Sequence, residues 1–126
     1  MGAPYTDQFL TLNGLRFHYQ DWGNPSAPPL LMVHGLTRNG HAFDLVAERL
    51  REKFRCLAVD VRGRGQSDWG EPADYHNPQY VRDISALLHE LGLARVHWLG
   101  TSMGGLIAMT LAAERPQLFE SLVLND

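Results

Sequence analysis

Ser102 is the residue of this sequence best placed to do chemistry. It stands in Gly100-Thr101-Ser102-Met103-Gly104, a Gly-x-Ser-x-Gly pattern. A serine hydroxyl presented in such a bend is a candidate nucleophile for attack on a carbonyl carbon. Two conditions follow. The hydroxyl is weak at neutral pH and needs a base to take its proton. Attack on an ester carbonyl also makes an oxyanion, which needs N–H donors aimed at it. The backbone N–H of Met103, at the start of an expected helix, is one such donor, because a helix N-terminus favours negative charge.

The elements around the motif explain its glycines. Val96-His97-Trp98-Leu99 is a short apolar run with β-formers and predicts a buried strand. Leu106 to Ala113 predicts a helix. A sharp turn between them would strain the serine backbone, and side chains at positions 100 and 104 would strike neighbouring backbone. The hydroxyl is then expected at the C-terminal edge of a sheet.

The base is harder to find. The six histidines are His18, His34, His41, His76, His89 and His97, and all precede Ser102. His97 falls in the strand and His89 on a helix, so neither is well placed. His41 and His76 fall on loops and stay open. Among the acids after the serine, Glu114, Glu120 and Asp126, only Asp126 falls at a strand tip on the active edge. It is read as a site-wall residue or, less favoured, the acid.

Two further stretches stand in a set order before the serine motif: His34-Gly35-Leu36, and Asp60-Val61-Arg62-Gly63-Arg64-Gly65-Gln66-Ser67. The three together resemble the α/β-hydrolase superfamily in its esterase, lactonase and C–C hydrolase branch. The resemblance runs from about residue 8 to the end of the chain and covers about the first half of the family's fold. It implies that the second oxyanion donor is the backbone N–H of Leu36, after the His-Gly pair. It implies that His34, Gly35, Gly100 and Gly104 shape the site, with His34 forming its loop rather than acting as base. The Asp60–Ser67 stretch is read as a loop locked by an ion pair and a turn. In the family the triad runs Ser, then Asp or Glu, then His. The base, the acid and any lid are therefore expected beyond residue 126, and residues 1–126 read as a single incomplete α/β-hydrolase core.

Composition narrows the alternatives. The chain has 126 residues, 44% hydrophobic and 20% charged, which suits one globular domain. A net charge of −3 with scattered basic residues argues against a nucleic-acid partner. Cys56 is the one cysteine; it excludes an intrachain disulfide and reads as a small core residue. The N-terminus lacks a signal-peptide pattern. Gly2 and Thr6 fit a loose myristoylation pattern, given little weight. No apolar run has the length of a membrane span, so no membrane contact and a cytoplasmic location are expected. Gly63-Arg64-Gly65 lacks the third glycine of a dinucleotide loop, and no lysine follows as a P-loop needs.

The remaining elements alternate. Phe9–Leu12 and Leu15–Asp21 predict a hairpin around Asn13-Gly14. Leu15, Phe17 and Tyr19 are expected inward, and Arg16, His18 and Gln20 toward water. Leu30–Val33 predicts a strand covered on both faces. A helix is expected over 42–53, with Phe43, Val46, Leu50 and Phe54 on its buried face. Cys56–Val59 predicts a strand. Asn77 caps and Pro78 opens a helix reaching Leu91, with Val81, Ile84, Leu88 and Leu91 inward and Gly92 ending it. In the helix after the serine, Gly104, Ala108 and Ala112 form a small-residue face, and the helix is expected to be buried nearly all round. Leu122–Leu124 predicts a last buried strand. Such alternation gives an α/β fold, a mostly parallel sheet with helices on both faces and an N-terminal antiparallel hairpin.

The functional expectation is a serine hydrolase of small carboxylic esters or lactones through an acyl-enzyme on Ser102, with C–C bond hydrolysis as a same-fold option. No metal and no organic cofactor are implied. These 126 residues alone are expected to turn over negligibly. An unpaired last strand is expected to favour association, or pairing with a complementary C-terminal segment. The alternative is a non-catalytic relative that binds a ligand or assembles with a partner chain.

Overall fold

A computed structural model describes residues 4–125. It contains β1 (Thr6–Leu12), β2 (Leu15–Asp21), β3 (Pro29–Val33), α1 (Asp44–Leu50), β4 (Arg55–Val59), α2 (Asn77–Glu90), β5 (Val96–Thr101), α3 (Met103–Glu114) and β6 (Phe119–Asn125). Short 3-10 turns occupy Gly40–Phe43, Pro72–Asp74 and Pro116–Leu118. The Gly2 pattern and Asp126 lie outside the described residues.

The strands form one sheet in the order β1-β2-β4-β3-β5-β6. β1 and β2 pair antiparallel around Asn13 (φ 49°) and Gly14 (φ 84°), the left-handed pair that a two-residue hairpin turn requires. β2 also runs antiparallel to β4, and β4, β3, β5 and β6 are mutually parallel. Alternate side chains of the central strands enter two cores. Leu31, Val33, Leu57, Val59, Val96 and Trp98 pack with Ile84, Leu87 and Leu88 of α2 and Ile107, Ala108 and Leu111 of α3. Leu30, Met32, Cys56 and Ala58 face the other way, onto Phe43 and Ala47. Burial there pushes the Cys56 thiol up to about 11, so it behaves as a core group. Among the described residues no helix is long and apolar enough to cross a membrane.

The structure corrects several expectations. β1 begins at Thr6 rather than Phe9. The expected helix over 42–53 opens as a 3-10 turn, and only Asp44–Leu50 is α-helical. Its inward residue is Ala47, which joins Phe43 of the 3-10 turn in the second core, and Val46 is exposed. The α2 cap is His76, whose Nδ1 accepts from Gln79 N–H at 3.3 Å. Asn77 instead donates to Thr110 Oγ1 on α3. Gly92 closes α2 at φ 68°, as expected. α3 is not buried all round: Leu106 and Met109 are 57% and 54% exposed. β6 is not a buried strand either, with Val123 56% and Leu124 51% exposed. Both lie on the flank where the sheet ends at β6.

The largest correction concerns β2. Its residues Phe17 to Gln20 are all buried, because β2 lies inside the sheet and a loop covers its second face. His18 is only 1% exposed. Its Nδ1 lies 2.7 Å from Asp60 Oδ2 and its Nε2 2.7 Å from Asp7 Oδ1. A carboxylate at each ring nitrogen favours the imidazolium form, which alone can donate from both. Burial pulls the His18 pKa down, but the bonds to Asp60 and Asp7 and their charges outweigh it, so the net shift is upward. Burial likewise disfavours the Asp60 carboxylate, yet His18 and the N–H groups of Gln66 and Gly40 hold its pKa down. Ser67 Oγ donates to Asp60 O at 2.7 Å and accepts from His18 N–H at 3.0 Å.

Two predictions follow from this packing. A Cβ on Gly104 would strike the Val33 carbonyl group, whereas one on Gly35 would meet only ordinary contacts at 3.6 Å. Gly104→Ala is expected to destabilise by about 2–3 kcal/mol or more in denaturant melts, and Gly35→Ala by clearly less. For His18, NMR titration of the ring is expected above the ordinary 6.5. Its stabilisation is then complete below pH 6.5 and lost as pH rises through the raised value. That of Asp60 is complete above pH 3.8 and lost as pH falls through the lowered value. His18→Leu should cost about 3 kcal/mol by leaving the buried Asp60 carboxylate with backbone donors but no ion-pair partner, and should flatten the alkaline side of the stability profile.

Candidate active site

The sheet order puts β3 and β5 side by side although β4 lies between them in the chain. The connection after β3 leads to one side of it and the chain then returns to the other. Loops at the carboxyl ends of two such strands part and leave a crevice, the place where open α/β sheets bind ligands. The His34-Gly35-Leu36 loop leaves β3 there, and Ser102 follows β5. A Cβ at Gly35 would lie 3.6 Å from the Cβ of Ser102, so the two motifs are in contact distance.

Ser102 has φ 50° and ψ −108°, a left-handed backbone that a side-chain-bearing residue adopts only under constraint. Its neighbours supply that constraint. A Cβ on Gly100 would fall 2.6 Å from the Gly104 carbonyl oxygen and 2.7 Å from the Gly105 nitrogen. Gly104 itself lies against the Val33 backbone. The Ser102 carbonyl accepts from Gly105 and Leu106 N–H, which starts α3. Ser102 N–H is tied to Asn125 O of β6 at 2.9 Å. The side chain has no capping bond, and the residue is exposed. A cavity of about 310 Å³ opens beside it, lined by Ser102, Gly105, Leu106, Met109, Leu124 and Asn125. It occupies the β6 flank.

The amide groups of Leu36 and Met103 have no hydrogen-bond acceptor among the described residues. Leu36 is exposed at the rim and Met103 is buried at the first turn of α3. His34 is fully buried. Its Nε2 accepts from Val61 N–H at 2.9 Å and its Nδ1 donates to Gly35 O at 2.7 Å. Burial holds its pKa below the ordinary value, despite that bond and nearby Asp60. The ring is therefore neutral and committed to the loop.

Four of the other five imidazoles are engaged elsewhere. His41 Nδ1 lies 3.0 Å from Asp44 Oδ2, and His76 caps α2. His97 Nδ1 lies 2.7 Å from Ser121 Oγ, His18 belongs to the Asp60 network, and His89 sits exposed at the end of α2. Among the described residues no imidazole bonds to Ser102.

The Gly-rich stretch after β4 is held by charge on both sides. Arg62 donates from Nε to Asp83 Oδ2 at 2.9 Å and from Nη2 to Asp83 Oδ1 at 3.0 Å. Asp83 also accepts from Asn13 and Gln79, which ties loop, hairpin turn and α2 together. The ion pairs join this stretch to other elements, Asp60 to His18 and Arg62 to Asp83. Sequence reasoning missed His18, Asp7 and Asp83 as parts of this scaffold, and missed Arg64, whose Nε donates to Leu36 O at 3.1 Å. The partners lie far apart in the chain, and an alternating strand pattern misassigned His18 to solvent.

Comparisons with known proteins agree with this fold. A family described as the alpha/beta hydrolase fold matches residues 28–126. The chain is 46% identical over 113 residues to a 3-hydroxybutyrate-oligomer hydrolase of Cupriavidus necator, covering 88% of this chain and 39% of that protein. It is 38% identical over 117 residues to an N-formylmaleamate deformylase of Pseudomonas putida, covering 93% of this chain and 43% of that one. The crystal structure of an alpha/beta hydrolase from Novosphingobium aromaticivorans superposes with a TM-score of 0.95 at 43% identity, over 100% of this chain and 45% of the other. The chain thus spans less than half the length of these relatives. With the family match over 28–126 and a sheet that superposes along its full length, this chain belongs to the α/β-hydrolase family.

Proposed function

We propose that Ser102 is the nucleophile of a serine hydrolase acting on small carboxylic esters or lactones. The observation that carries this reading is the exposed, strained Ser102 at the β3/β5 crevice, with the amides of Leu36 on the loop after β3 and Met103 at the start of α3 unpaired among the described residues. Ser102 Oγ attacks the carbonyl carbon, and a base takes its proton. The Leu36 and Met103 N–H groups donate to the oxyanion. The carbon–oxygen bond to the alcohol breaks as that proton passes to the leaving oxygen, which leaves an acyl-enzyme. Water, giving a proton to the base, then attacks the acyl carbon; the bond to Ser102 Oγ breaks as Oγ takes that proton back, and the carboxylic acid leaves. Removing one oxyanion donor from such a site costs roughly 3 kcal/mol of transition-state stabilisation.

The relatives are hydrolases by name, an oligomer hydrolase and a deformylase, which supports hydrolytic chemistry. Their greater length supports a base, and an acid, supplied by residues outside 1–126. The open β6 edge beside Ser102 is where we place the segment that brings them.

The test uses an aryl ester and a fluorophosphonate probe on the full-length protein. Labelling is expected on Ser102, and Ser102→Ala should lower kcat by about four orders of magnitude or more. Residues 1–126 alone should show negligible turnover. Turnover that survives Ser102→Ala overturns the proposal, and ligand binding without labelling points to a non-catalytic receptor instead.

A further inference from the structure

The peptide between Gly35 and Leu36 is oriented by a relay that the serine motif does not contain. Val61 N–H donates to His34 Nε2 at 2.9 Å, which leaves the ring proton on Nδ1. Nδ1 in turn donates to the Gly35 carbonyl oxygen at 2.7 Å. Arg38 N–H donates to the same oxygen at 3.1 Å. The described peptides are all trans, so the Leu36 N–H leaves this peptide on the side opposite that carbonyl. Fixing the carbonyl fixes the donor.

The following peptide is gripped from the Gly-rich loop. Arg64 Nε donates to Leu36 O at 3.1 Å. Arg64 Nη1 donates to Arg62 O at 2.9 Å and to Tyr80 Oη at 3.2 Å, and its guanidinium lies 5.3 Å from the centroid of the Tyr80 ring. Two consecutive carbonyls of an otherwise exposed loop are thus held by side chains, one from inside the core and one from a neighbouring loop.

We propose that Arg64 joins the loop-forming His34, held in its Nδ1–H form, as a positioning residue, the two aiming the Leu36 N–H at the oxygen of the carbonyl attacked by Ser102. The proposal rests on the Ser102 and Leu36 roles given above. Neither side chain touches the reacting atoms; both act through the backbone. If the peptide turned over, it would present a carbonyl where the oxyanion forms, and the donor would be lost.

The two halves of the His34 relay can be separated. In His34→Asn the amide nitrogen takes the place of Nδ1 and keeps the bond to Gly35, losing the one from Val61. In His34→Gln the amide oxygen takes the place of Nε2 and keeps Val61, losing Gly35. In the full-length protein, His34→Gln is expected to lower kcat on an aryl ester about tenfold to a hundredfold, with KM within about twofold. His34→Asn should retain most of kcat, although the Val61 N–H left unpaired lowers its melting temperature. Arg64 is only half buried, so Arg64→Gln tests the second grip if the buried variants do not fold. It should lower kcat about tenfold, with partial recovery in Arg64→Lys, whose ammonium can still donate to Leu36 O. Equal losses in both His34 variants, or unchanged kcat in His34→Gln and Arg64→Gln beside an inactive Ser102→Ala, would overturn the relay and leave the hydrolase reading standing. Wild-type turnover that does not need Ser102 would instead remove the reading beneath it.

Discussion

The close approach of α3 to the end of β3 is the constraint on which the rest of the site depends. The Gly104 α-carbon faces the Val33 carbonyl with no room for a methyl group. That contact sets how steeply the chain must turn after β5. A gentler turn would lift α3 off the sheet and relax Ser102 out of its left-handed conformation. Because protein interiors are close-packed, the helix has no intermediate resting place. The strain at one residue is therefore held by packing along a whole helix, with Ile107, Ala108 and Leu111 buried against the sheet.

The other side of the crevice depends on charge rather than on close packing. Asp60 accepts from His18, Gly40 and Gln66, and Arg62 accounts for Asp83. Burying such groups costs several kcal/mol per ion unless every one is partnered. Here each partner comes from a different element, so satisfying the charges also fixes the elements. β1, β2, the turn before α1, the Gly-rich loop and α2 are brought to one arrangement. Val61, next to Asp60 in that loop, reaches His34, and Arg64 reaches Leu36. The network thus extends to the loop beside Ser102.

The β6 flank has a different character. Leu106, Met109 and Leu124 expose apolar surface around the cavity next to Ser102, while Val123 is exposed on the opposite face of β6. A contiguous apolar patch beside an unpaired parallel strand is unusual for a free surface. It contrasts with the β1 edge, where Asp7, Gln8 and Phe9 mix polar and apolar side chains. The serine side of the crevice is thus bounded by a surface of the kind that other backbone covers.

By itself the sequence determined the α/β alternation, the hairpin at Asn13-Gly14, the strand-bend-helix around Ser102 and the place of Gly92. These rest on local chemistry: turn residues that tolerate positive φ, apolar runs, and glycines at fixed spacing. It also showed three motifs in a family's order. Only the tertiary structure decided that β2 is an interior strand, that His18 is buried between two carboxylates, that Ala47 rather than Val46 faces the sheet, and that Arg64 grips Leu36. Those outcomes depend on which strand lies beside which, and the deciding partners are tens of residues away. A period-two pattern reports a strand's faces only when one of them is known to meet water. Here both were covered, the second by a loop that bonds to His18 through Asp60 and Ser67, residues 42 and 49 positions away in the chain.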